Sequence, residues 1–195
     1  MNIVEHLHIE IQEHLAVVDR MKGAVPKVFE EVVSACIAAI RSGNKLMFFG
    51  NGGSAADAQH LATELVVRYR ANRPAIGAIA LTTDTSALTA IGNDFGFEDL
   101  FARQVDALCR PGDVAIGIST SGNSENVIRG LLVAKQRGAV TVGLGGGDGG
   151  RMVEQVDYAI VVPSKSTARI QEMHILLGHT LCGLLEDDLS ARNNG

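Results

Sequence analysis

His60 and Glu64 stand four residues apart in a stretch of helical pattern, residues 55–69, and therefore share one helix face. Gln171, His174 and His179 fall in a second helical stretch, 167–189. Gln171 and His179 are eight residues apart, two turns with a modest angular offset. Two such helices can present His60, Glu64, Gln171 and His179 to one point. Glu and His suit general base and acid work. Two His, one carboxylate and a Gln carbonyl also suit Zn²⁺. No H-E-x-x-H pattern is present, and spacing alone favours the plainer reading, an exposed i,i+4 pair with ordinary surface histidines.

Two loops add anion chemistry. Gly50-Asn51-Gly52-Gly53-Ser54 follows an apolar run and opens a helix. Its glycines let backbone approach a ligand, and Ser54 can cap the helix, whose first amides favour an anion. A plain capped turn accounts for it equally well. Ser119-Thr120-Ser121-Gly122-Asn123-Ser124 offers four hydroxyls, an amide and a glycine between a strand and a helix. That density of donors favours a neutral phosphate cradle over a solvated Ser-rich loop. It has no Lys and is no Walker loop. The glycine-rich 145–150 run reads as a flexible connector. Asn93 and Asp94 follow a short helix and either end it or face a ligand.

These residues need a scaffold. Helical periodicity covers 3–21 and 25–42. Strand patterns at 46–49, 76–81, 114–118, 140–144 and 158–162 then alternate with helices at 55–69, 85–91, 99–108, 125–137, 151–156 and 167–189. Alternation of this kind predicts βαβ units and a parallel sheet, a three-layer αβα sandwich with five strands. Ligands of such sheets sit beyond the carboxyl ends of the strands, where both loops fall. The expectation is a single domain over 1–195, with 43–195 as the α/β core. Residues 1–42 add helices whose spare apolar face suits contact with another subunit. The 193–195 tail is expected to fray.

Composition narrows the partners. Aromatics are 4% of the chain and Trp is absent, which argues against stacking on bases. A net charge of −5 gives no bulk attraction to nucleic acid or anionic membrane. A phosphorylated ligand must then be held by local dipoles and hydrogen bonds. Cys36, Cys109 and Cys182 are far apart and odd in number, so they read as free thiols of a reducing compartment. Charges at Glu5, Glu10, Glu13, Asp19 and Arg20 exclude a signal peptide, and no apolar run spans a bilayer. The expected location is cytoplasmic.

Taken together, the stretches at 50–54, His60 with Glu64, Arg68-Tyr69-Arg70, Asn72-Arg73-Pro74, 92–97, 117–124, 148–150 and Arg169-Ile170-Gln171-Glu172 with His174 and His179 resemble the sugar isomerase (SIS) domain, and within it the phosphoheptose isomerases. The resemblance implies a flavodoxin-like five-stranded sheet in a homotetramer with active sites between subunits. It implies interconversion of sedoheptulose 7-phosphate and D-glycero-D-manno-heptose 7-phosphate, a step toward lipopolysaccharide heptose. Substrate contacts would map onto Asn51, Gly52, Gly53, Glu64, Asn93, Asp94, Ser119, Thr120, Ser121, Ser124 and Gln171. One Zn²⁺ per subunit would be held by His60, Glu64, Gln171 and His179, with Glu64 as base and His179 as acid. One departure is Ala168, where many members have Asp.

Residues 166–174 are also similar to a non-enzymatic relative that binds the bacterial replication initiator. That relative typically lacks the equivalents of Glu64 and His179; both are present here, which favours the enzyme. A sugar-phosphate-sensing regulator would need a helix-turn-helix segment, and the acidic N-terminal helices leave little room for one.

Overall fold

Leu46 to Phe49 carry no polar side chain, so the segment is stable only as a strand covered on both faces. It forms β1 (Leu46–Gly50), fully buried. β2 (Ala78–Ala80), β3 (Val114–Ile118), β4 (Val140–Gly146) and β5 (Tyr158–Val162) complete the set. In this computed structural model, which describes residues 2–193, they form one sheet ordered β2-β1-β3-β4-β5. Every pairing is parallel. The described helices are α1 (Ile3–Ala24), α2 (Pro26–Arg41), α3 (Gly53–Val66), α4 (Thr85–Asp94), α5 (Ala102–Leu108), α6 (Glu125–Gln136) and α7 (Thr167–Asn193).

Alternation along β1 divides the core. Leu46 and Phe48 join a cluster with Val32 and Cys36 of α2, Leu61 of α3 and Leu177 of α7. Met47 and Phe49 join the opposite cluster with Phe101, Val105 of α5, and Val127 and Leu131 of α6. Each fully buried side chain of this size contributes about 1.5–3 kcal/mol. α1 lies outside the first layer and inserts Val17 and Met21 into it. This is the expected three-layer sandwich. From β1 the chain moves to one edge of the sheet, and from β3 it moves to the other. The β1–β3 crevice is therefore the topological switch point, where ligands of open α/β sheets bind.

Several boundaries differ from the sequence reading, each for a tertiary reason. The helix expected over 99–108 is a 3₁₀ turn, Phe97–Asp99, followed by the shorter α5. Gly96, at φ 98°, starts that turn, and Leu100 and Phe101 are buried between the two pieces. The strand expected over 76–81 pairs only at Ala78–Ala80. α4 runs on through Asn93 and Asp94, capped at its start by the Asp84 carboxylate accepting from Ala87 N at 3.0 Å. α3 begins at Gly53, so Ser54 is a buried first-turn residue rather than the cap. Asn193 closes α7; the rest of the tail expected to fray, 194–195, lies outside the described residues. No described helix is long and apolar enough to cross a membrane.

The cysteines are free thiols. Burial pushes both Cys36 and Cys182 up to about 12, so neither supplies a thiolate at neutral pH. His174 is 1% exposed. Its Nε2 lies 3.0 Å from the Gly145 carbonyl, which can only accept, so Nε2 carries the proton. This bond ties α7 to the end of β4. Burial depresses the His174 pKa below its ordinary 6.5, against a smaller opposing effect of the Gly145 bond.

A folded-state pKa below the unfolded one means that the unfolded chain binds the proton first. The contribution of His174 is complete above about pH 6.5 and is lost as pH falls from there through the depressed value. His174→Gln keeps a donor and removes the titration. Its Tm should therefore fall less steeply than wild type between pH 6.5 and 4.5. Parallel melting curves for the two proteins would contradict this.

Candidate active site

The loop after β1 is shaped by three glycines. A Cβ at Gly50 would stand 2.7 Å from the Ile118 carbonyl, so only glycine lets β1 leave the sheet this close to β3. Gly52 (φ 54°) starts α3. A Cβ at Gly53 would meet the Gln171 amide at 2.4 Å, so the α7 side chain lies directly over the first turn of α3. Asn51 exchanges two 2.9 Å hydrogen bonds with buried Asn126 in the first turn of α6, locking this loop to the next one.

The 119–124 loop closes on itself. Ser119 Oγ donates to Ser124 Oγ at 2.9 Å, and Gly122 N donates to the Ser119 carbonyl at 2.9 Å. Ser124 starts α6 without a side-chain cap, which leaves first-turn amides for an anion. The 145–150 run is not a free connector. A Cβ at Gly122 would stand 1.8 Å from the Gly149 carbonyl, and one at Gly150 would stand 2.5 Å from that of Ser121. The two loops thus pack backbone on backbone. Met152 N donates to the Gly122 carbonyl at 3.0 Å, and Arg151 N donates to Asn123 Oδ1 at 3.1 Å.

α3 and α7 approach closely at a second point. A Cβ at Gly178 would stand 2.5 Å from Leu61 Cδ2. Beside this contact, His60 Nε2 and His179 Nε2 are 2.8 Å apart, and His60 Nε2 is 3.4 Å from Glu64 Oε1. One ligand atom from each of His60, Glu64 and His179 lies within 4.8 Å of the others. Tetrahedral zinc with N/O ligands at about 2.0–2.1 Å holds them about 3.3 Å apart, so these three residues fit a zinc ion after a small opening of the two rings. When bound, the ion would supply Lewis-acid polarisation of a substrate oxygen. The Gln171 amide lies over Gly53, at the first turn of α3. Asn93 and Asp94 are exposed at the end of α4 and bond each other at 2.7 Å.

The SIS domain family matches residues 11–146. The phosphoheptose isomerase of Paramagnetospirillum magneticum is 55% identical over 186 residues, covering 95% of this chain and 97% of that protein. The chain belongs to the phosphoheptose isomerases of the SIS domain family. Two solved phosphoheptose isomerases share its shape. The Neisseria gonorrhoeae structure is 40% identical with a TM-score of 0.90, covering 95% of this chain and all of that one. The Francisella tularensis structure is 32% identical with a TM-score of 0.92, covering 96% and 100%.

Several residues that build the site of this SIS domain were not assigned a role by sequence reasoning. The Tyr69 ring stacks on His179, with centroids 5.4 Å apart. Its backbone is fixed by Glu186, whose carboxylate accepts from Tyr69 N, Arg70 N and Ala71 N at 3.1, 2.9 and 2.7 Å. Arg73 pairs with Glu186 at 3.2 Å, both side chains almost wholly buried, and donates to the Glu64 and Leu65 carbonyls. Burial alone would raise the Glu186 pKa; the three backbone N–H groups and Arg73 outweigh it and hold the carboxyl low. These bonds also explain why α3 stops at Val66 rather than near Tyr69. Asp57, one turn before His60, has a buried Oδ2 without a partner among the described residues. Burial raises its pKa, and His60 and His179 oppose the rise.

Gly178→Ala should force Leu61 and the two helices apart, at a cost of about 1–3 kcal/mol in urea unfolding. Adding Leu61→Ala should recover part of that loss, so the double variant is less destabilised than the sum of the singles. Strict additivity would mean that the helices do not meet at this pair.

Proposed function

We propose that the protein interconverts sedoheptulose 7-phosphate and D-glycero-D-manno-heptose 7-phosphate through an enediol. It is an isomerase by family. The observation that carries the specific reading is the convergence of His60, Glu64 and His179 at one end of the α3–α7 groove, with a neutral anion loop beyond its other end. The phosphate is held by Ser119, Thr120, Ser121 and Ser124 with the first amides of α6, a charge-free cradle that suits an acidic chain. Asn51, Gly52, Gly53 and Gln171 line the path between the two ends, and Asn93 and Asp94 reach the sugar from the β2 side.

An aldose–ketose shift moves one proton between C1 and C2 and another between O1 and O2. Glu64 removes the carbon-bound proton and returns it to the neighbouring carbon. His179 carries the oxygen-bound proton, its ring held by Tyr69. His60, Glu64, Gln171 and His179 would hold one zinc per subunit. Zinc on Glu64 would weaken it as a base. A Glu64 carboxylate not held by the ion would be the stronger base.

The subunits assemble as a homotetramer through the apolar surface of α1, α2 and α7. Val4, Leu7, Ile11 and Leu15 are exposed on α1, and a groove of about 600 Å³ is lined by Met21 of α1, Phe29 and Val33 of α2 and Leu184 of α7.

Product formation from sedoheptulose 7-phosphate, followed by NMR, tests the reaction. Wild type should form the aldose; Glu64→Gln and His179→Ala should each lose at least about 100-fold in kcat. Near-normal turnover by Glu64→Gln would remove it as the base. No turnover by wild type, with zinc added, would remove the reaction.

A further inference from the structure

A cavity of about 870 Å³ opens beyond the carboxyl ends of β3, β4 and β5. Its lining includes Thr120 and Ser121 of the anion loop together with Gly147, Asp148, Arg20 and Lys165. The anion loop brings no cation, the chain carries −5 overall, and a phosphate monoester carries close to two negative charges at neutral pH. A dianion held by the neutral loop would gain further from a local positive field, and Arg20 and Lys165 are the cations of this lining.

Arg20 is placed rather than loose. Its Nε donates to the Pro163 carbonyl at 3.0 Å, which orients the guanidinium plane. Among the described residues, its terminal nitrogens have no acceptor. The helix that carries it is clamped to the first turns of α7. His14 Nδ1 lies 2.8 Å from Glu172 Oε2, and the largely buried Arg169 joins Glu172 at 2.6 Å and Glu10 at 3.1 Å. Lys165, in the turn between β5 and α7, makes no ion pair among the described residues. Asp148 is the one opposing charge in the wall, and its Oδ1 is occupied by Gly150 N at 3.0 Å.

We propose that Arg20 and Lys165 bind the phosphate-bearing end of the ligand in the cavity they share with Thr120 and Ser121, and so set the preference for phosphorylated over unphosphorylated sugars. The proposal rests on the reading of a sugar phosphate as the ligand. Arg20 supplies a planar fork and Lys165 a mobile point charge, a pairing suited to a tetrahedral dianion. α1 thereby serves the site directly, in addition to any role between subunits. Neither cation lies in the His60–Glu64–His179 group, so the chemical step does not depend on them.

The test compares wild type with Arg20→Met, Lys165→Met and the double variant, all checked by thermal melting. With sedoheptulose 7-phosphate, KM should rise about tenfold in each single variant and roughly a hundredfold in the double, with kcat within about twofold of wild type. The inhibition constant for inorganic phosphate should rise in step. An unmoved KM in the double variant, or a fall in kcat at constant KM, would overturn the proposal. Calorimetric titration with inorganic phosphate decides the matter independently of turnover. Weaker binding by the double variant supports it, and equal binding, or none by wild type, overturns it. Failure of the isomerase reaction would leave that binding comparison standing.

Discussion

The close approach of α3 and α7 is the constraint on which the rest depends. Two glycines make it possible: Gly53 under the Gln171 amide, and Gly178 under Leu61. A Cβ at either position would occupy space already filled, so helix separation is set by what is absent from the sequence at those points. At that separation, His60 and Glu64 on one helix and His179 on the other come within reach of a single ion. Interaxial distance depends on the side chains at the contact, about 8–10 Å in ordinary pairs, so a larger residue at either glycine would move the facing side chains apart.

Backbone proximity also governs the anion end. The sheet order places the loops after β1 and β3 side by side, and the Asn51–Asn126 amide pair ties them. Gly122, Gly149 and Gly150 then allow the 119–124 and 145–150 loops to touch main chain to main chain. The cost of such glycines is paid in unfolded-state entropy; the return is a loop whose donors are held in place before any ligand arrives. Fixed donors aimed at an anion are worth more than the same groups on a mobile segment.

Much of this was legible in the residues. The α/β alternation, the parallel sheet and the two ligand loops follow from apolar runs, periodicity and turn chemistry, all local signals. The convergence of His60, Glu64 and His179 was readable as a possibility only, because spacing fixes a helix face and not the partner it meets. What could not be read depends on distant pairs. Glu186 acts on residues 115 to 117 positions away, and nothing near it in sequence marks it as the clamp of the Tyr69 segment. The glycine-rich 145–150 run reads as slack until its neighbour is known. The 99–108 pattern is helical locally, but Gly96 and the burial of Leu100 and Phe101 divide it.

The proposed zinc site lies between the facing side chains of the packed α3–α7 pair. Anomalous scattering at the zinc edge, from crystals grown with the metal, tests it most directly. One peak per chain is expected within about 2.3 Å of His60 Nε2, His179 Nε2 and a Glu64 carboxylate oxygen. No peak at that position under saturating zinc, or peaks only at other histidines, would contradict it.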